Sequence, residues 1–133
     1  MSILDSLKSI VGSGAPKVDV KLFKTQASMQ ESVKGLTTIT GGEYPVTIEK
    51  VILYVLTTEE LKDQGKTKES DEKVGILTIN DYVLEPKEVI TIPFQMKIPK
   101  DNLITSSAIK HYVKVLIEIK GQNVFGTSEI TIA

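Results

Sequence analysis

The sequence predicts an all-β sandwich of about seven strands with one short N-terminal amphipathic helix. Three observations carry that expectation. Apolar residues alternate with polar ones at a period of two in segment after segment. Turn-forming Gly, Pro, Asn and Asp separate the segments. Helical spacing is confined to the first eleven residues.

Ser2 and Asp5 resemble a capping box, and Ile3, Leu4, Leu7, Ile10 and Val11 follow on one helical face, which gives a helix over residues 2–11. Gly12-Ser13-Gly14-Ala15-Pro16 ends it, because Gly suits the residue after a helix and Pro blocks continuation. Val18, Val20 and Leu22 then alternate with Lys17, Asp19 and Lys21 as a half-buried strand. A polar stretch from Lys24 to Ser32 leads to a second strand, Val33 to Thr40, and Gly41-Gly42 reads as a turn.

The central strand runs from about Val46 to Thr58. Its core, Val51-Ile52-Leu53-Tyr54-Val55-Leu56, is the longest unbroken apolar run in the chain. Successive strand residues point to opposite faces, so both faces of this strand require cover. Residues 59–73 are almost wholly charged or polar and read as an exposed, mobile hairpin loop.

Val74 to Ile79 resumes a strand, and Asn80-Asp81 begins a turn or crossover toward Glu85-Pro86-Lys87. Ile90, Ile92, Phe94, Met96 and Ile98 show the clearest alternation, with Pro93 placed at an edge or a bulge because it cannot donate to a ladder. Tyr112 to Lys120 alternates again, with Val113, Val115, Ile117 and Ile119 inward and Leu116 departing from a polar outer face. Gly121-Gln122-Asn123 turns the chain into a closing strand, Glu129 to Ala133. The whole is expected to be one immunoglobulin-like domain over residues 1–133, with the sandwich spanning 17–133.

Composition narrows function chiefly by exclusion. Sixteen basic residues face seventeen acidic ones, so no long-range attraction to nucleic acid or an anionic surface is expected. Every basic residue is a lysine, and bidentate recognition of phosphate or carboxylate is an arginine specialty. Without cysteine there is no disulfide framework, thiolate nucleophile or cysteine-ligated metal, which fits the cytoplasm.

No segment is long and apolar enough to span a bilayer, and Asp5 and Lys8 interrupt any resemblance to a signal peptide. His111 is the only histidine, so it cannot build a histidine metal cluster, and it reads as a surface residue at a strand entrance. The acidic pairs Glu59-Glu60 and Asp71-Glu72 match no calcium loop and read as solvated charge. Gly12-Ser13-Gly14 lacks the features of a phosphate loop. With few aromatics and no Trp there is no stacking platform for single-stranded nucleic acid. No enzyme, cofactor or metal is expected.

Several short motifs run through most of the chain: the N-terminal segment with Gly12-Ser13-Gly14-Ala15 and Lys17-Val18-Asp19, then Val33-Lys34-Gly35 leading to Gly41-Gly42. They continue with Ile52 to Glu59, Ile92-Pro93-Phe94, Ile98-Pro99 and Ile104-Thr105. In these the chain resembles the sporulation-control (Spo0M-type) family, whose N-terminal domain is arrestin-like. Where that family commonly has Pro-Gly-Glu before the second strand, this chain has Met29-Gln30-Glu31. The resemblance implies an arrestin-like sandwich and a regulatory or adaptor role through protein contacts.

Phosphate sensing is not carried over, since it relies on arginine among other charged residues. The resemblance ends near the end of the arrestin-like domain, so the C-terminal half of longer members is expected to be missing.

The leading expectation is a cytoplasmic interaction module that presents an edge strand or the 59–73 loop to an unidentified protein partner, with a homo-oligomer as one form of partner. Glu59, Glu60, Asp63, Lys66 and Lys68 are the candidate partner-loop residues. The alternative is a peripheral membrane module anchored by the N-terminal helix, with Lys8, Lys17, Lys21 and Lys24 nearby, a weak anchor given so few charges. A ligand-binding sandwich or hydrolase ranks last. The apolar face of the helix, Ile3, Leu4, Leu7 and Ile10, is expected to dock on the outer face of the central strand, either Val51, Leu53 and Val55, the assignment preferred, or Ile52, Tyr54 and Leu56, with Leu116 joining from a neighbouring strand.

Overall fold

Alternating segments that each have one apolar face must pair edge to edge and then stack face to face, and the chain does both. The structure, a computed structural model, describes residues 14–100 and 102–133. The expected helix over residues 2–11 lies outside the described residues, as do Ile3, Leu4, Leu7 and Ile10.

Eight strands are present in the described residues: β1 (Lys17–Leu22), β2 (Gln26–Ala27), β3 (Ser32–Thr40), β4 (Val46–Leu61), β5 (Lys66–Leu84), β6 (Val89–Lys97), β7 (Ile109–Ile119) and β8 (Val124–Ile132). They form a three-stranded sheet, β1-β3-β6, and a five-stranded sheet, β2-β8-β7-β4-β5. Apart from the short parallel contact of β2 with β8, the pairings are antiparallel. Pro93 lies opposite Leu36 on β6, the edge strand where a residue without an N–H is tolerated.

The core fills the space between the sheets. Val33 and Ile39 of β3 with Phe94 and Met96 of β6 meet Ile48, Val51, Leu53 and Val55 of β4 with Val113, Val115 and Ile117 of β7. Burial of these side chains is the main source of stability, at roughly 1.5 to 3 kcal/mol each.

Three expectations need correction. Residues 59–73 are not a loop. β4 and β5 continue as a paired ribbon, with Thr57 opposite Ser70, Glu59 opposite Lys68 and Leu61 opposite Lys66. A single turn of 3-10 helix, Lys62–Gln64, closes the ribbon, and Gly65 follows it at φ 61, a left-handed conformation that glycine adopts without steric cost. Residues 62–73 are exposed along this ribbon, so no apolar period marks it in the sequence.

Asn80-Asp81 is likewise not a turn out of the sheet. β5 bulges there, between the pairs Ile48–Tyr82 and Lys50–Thr78, with Asp81 at φ 43, and then continues to Leu84. The closing strand begins at Val124 rather than Glu129.

Gly41-Gly42 does more than turn the chain. A Cβ on Gly41 would lie 2.1 Å from the Glu85 carbonyl oxygen, and one on Gly42 would lie 1.9 Å from that of Gly14. The β3–β4 connection therefore packs backbone against backbone with both neighbouring segments, tied by Glu43 N–H donating to the Gly14 carbonyl (3.0 Å) and Gly41 N–H donating to that of Glu88 (2.7 Å).

Candidate functional site

The second apolar face of Val51 to Leu56 leads to the site. Val51, Leu53 and Val55 do not form an outer docking face. Their cross-strand partners Ile117, Val115 and Val113 belong with them to the core between the sheets. The outer face is Ile52, Tyr54 and Leu56. Because both halves of the run are apolar, only the register with β7 decides which half points inward.

Three cross-strand rows build this outer surface from the β5 side to the β8 side. Ile76, Ile52, Leu116 and Phe125 form the first, Lys73, Tyr54, Lys114 and Thr127 the second, and Asp71, Leu56, Tyr112 and Glu129 the third. Ile52 is 7% exposed and Leu56 5% exposed, values that belong to a core.

Lys114 occupies the middle. Its ammonium lies 4.7 Å from the ring centre of Phe125 and 5.7 Å from that of Tyr54, and it donates to the Asp71 carboxylate at 3.1 Å. The stem of a lysine so placed covers apolar surface, while its charge is shared between two ring faces and a carboxylate. Burial, and secondly the Glu129 carboxylate, pushes the Tyr112 hydroxyl above its ordinary range.

This arrangement offers packing and recognition chemistry. Among the described residues no three His, Cys, Asp or Glu side chains converge as metal ligands would. Toward β5 the surface opens. Ile76 is 47% exposed, and β5, a strand of 19 residues, has among the described residues a hydrogen-bonded neighbouring strand on one side only.

The candidate partner residues are distributed along the ribbon. Glu59 and Lys68 face each other, Lys66 pairs with Leu61, Glu60 pairs with Thr67, and Asp63 lies in the closing turn. The structure thus orders them as a charged two-stranded arm without gathering them into one cluster. Sequence reasoning misses Lys114, Asp71, Tyr112 and Phe125 as site residues. Leu116, the single apolar exception on the outer side of its strand, is the visible signal, whereas Phe125 lies between a turn and a strand expected to start later.

His111 also departs from expectation. It is fully buried on the inner face of β7, opposite Thr57 of β4 and Ile130 of β8. Its Nδ1 lies 2.7 Å from Thr105 Oγ1, and its buried Nε2 has no hydrogen-bond partner among the described residues. Desolvation pushes the imidazole below its ordinary range. The strand's alternation, continued one step back from Val113, places His111 inside.

Residues 4–123 match the family model of Spo0M, described as SpoOM protein. The chain belongs to the Spo0M family. A crystal structure of Spo0M, the sporulation control protein of Bacillus subtilis, shares 22% identity with it and superposes with a TM-score of 0.72, covering 90% of this chain and 49% of that one. At that identity the likeness establishes the β-sandwich fold, and this Spo0M-family chain spans about half the length of the solved protein.

The Pseudomonas fluorescens alkylpurine DNA glycosylase AlkC, bound to DNA containing an abasic site analog, aligns at 13% identity with a TM-score of 0.45, covering 91% of this chain and 31% of that one. That similarity is too loose to carry an argument. No protein of curated function matches the chain. No helix among the described residues is long and apolar enough to cross a membrane.

Proposed function

We propose that this Spo0M-family chain is a non-catalytic, cytoplasmic regulatory adaptor that works through protein contacts, and that its contact surface is the β5 margin of the five-stranded sheet. The observation that carries this reading is the open length of β5. An unpaired edge can accept an extended segment through main-chain hydrogen bonds, and exposed side chains beside it then supply selectivity. Here Ile76 and the charged ribbon are those neighbours, with Lys66, Lys68, Lys73 and Asp71 mixing both signs of charge along it.

The test is site-specific photo-cross-linking in native cytoplasm, with the reactive group at Ile76 or Lys68 on β5 and, for comparison, at Gln95 on β6. A defined partner is expected to cross-link from β5 and not from β6. A partner captured equally well from both edges, or retained after proline substitutions along the outer edge of β5 that leave the fold intact, would remove β5 as the contact surface.

A further inference from the structure

We infer that His111 is an acid-sensitive latch holding the β6–β7 connection against the end of β8, and that its protonation frees residues 102–108 while the sandwich stays folded. Beyond the pair His111–Ile130, β7 no longer accompanies β8. Thr105 takes its place, donating its N–H to the Ile132 carbonyl (2.9 Å) and accepting the Ile132 N–H at Oγ1 (2.8 Å). The same Oγ1 lies 2.7 Å from His111 Nδ1. One hydroxyl thus joins the connection, the end of β8 and the imidazole.

A neutral imidazole is the form this site accommodates. Charging makes both ring nitrogens donors. Thr105 Oγ1 could accept the Nδ1 proton, but Nε2 is buried without an acceptor. Among the described residues no carboxylate is hydrogen-bonded to the ring to compensate. Its cross-strand neighbours are Thr57 and Ile130, and the connection contributes Thr105. The inward-facing side chains of the opposite sheet are Val18, Val20 and Leu22 of β1, Val33, Thr37 and Ile39 of β3, and Ile90, Ile92, Phe94 and Met96 of β6, with Ile98 just beyond it, none of which titrates. Ser70 faces Thr57 from β5, and Ala27 of β2 is uncharged. Among the described residues the charged ones close in register are Glu59, two residues along β4 from Thr57, and, on the other face, Lys110 next to His111 and Glu129 next to Ile130.

An isolated charge in such a site either stays off or draws in water. The strand neighbours are fixed by ladders on both sides, so the side that can yield is the connection. It is bound by a few hydrogen bonds, and its Leu103 and Ile104 are already exposed. Burial holds the imidazole below its ordinary range, so between the folded and unfolded values the unfolded or opened form binds more protons. Closure is therefore fully favoured above the unfolded value and weakens as pH falls below it.

The test uses NMR of the intact chain, in which imidazole signals are unambiguous because His111 is the only histidine. Between pH 7.5 and pH 5, hydrogen exchange at the amides of Thr105, Ile132 and their neighbours in 102–108 is expected to accelerate at least tenfold beyond the intrinsic pH effect. The change should track the His111 titration, while amides in the centres of β4 and β7 keep their protection. In His111→Asn the connection should exchange at a rate free of that pH dependence.

Three results would overturn the latch: an imidazole that titrates without moving the connection amides, one that stays neutral to the acid limit of folding, or a loss of protection shared equally by β4 and β7. The wild-type titration decides these even if His111→Asn fails to fold.

Discussion

The outer faces of the two sheets differ in kind. On the three-stranded sheet the outward residues include Lys17, Asp19 and Lys21 of β1, Lys34 and Thr38 of β3, and Thr91, Gln95 and Lys97 of β6, the ordinary wet side of an antiparallel sheet. On the five-stranded sheet the corresponding positions include Ile52, Tyr54, Leu56, Tyr112, Leu116 and Phe125 around Lys114, with Lys73, Asp71, Thr127 and Glu129 at the margins. One sheet face is therefore polar enough to leave in water, while the other carries side chains as buried as a core at Ile52 and Leu56 and is exposed at Ile76 and Glu129. An outward direction in a strand does not make a residue a surface residue.

The comparison breaks most readily by truncation. Ile52→Ala and Leu56→Ala should each lose about 2 to 4 kcal/mol of unfolding free energy, as core truncations do, because both side chains are nearly inaccessible. Leu36→Ala, at a half-buried outward position on β3, should lose less than about 1 kcal/mol. Urea unfolding of the three variants checks this. Equal losses at Ile52 and Leu36 would mean that the two outer faces are energetically alike.

A smaller effect is expected at the lysines. Lys114→Ala removes a stem packed between Tyr54 and Phe125 and should cost about 1 to 2 kcal/mol, while Lys114→Met, which keeps the stem, should recover most of that. Lys34→Ala on the other sheet should stay within about 0.5 kcal/mol of the parent. Thermal melts of the set would show whether Lys114 acts through its stem. If Met fails to rescue, the charge matters more than the packing.

Where burial writes a period into the residues, the amino-acid order alone reveals the strand. β1, β3, β6 and most of β7 are legible because one face is apolar and the other is not. The ribbon formed by the ends of β4 and β5 is not legible, since it is held by main-chain pairing between exposed side chains, and pairing without burial leaves no alternation. The assignment of Val51, Leu53 and Val55 outward fails for the opposite reason, because a strand apolar on both sides gives no choice of face. Residue type misplaces His111 against a strand period that points inward. The site around Lys114 is half visible, through Leu116, and its remainder depends on which strands become neighbours.

Lys114 and Asp71 form an ion pair whose side chains are 18% and 35% accessible, so solvent screens much of their attraction. A double-mutant cycle with Lys114→Met and Asp71→Asn should give a coupling below about 1 kcal/mol, shrinking further at high salt. A small, salt-sensitive coupling beside a larger loss for Lys114→Ala would show that the aromatic and aliphatic contacts close this face and that the carboxylate only orients the lysine. A coupling as large as the truncation loss would reverse that order.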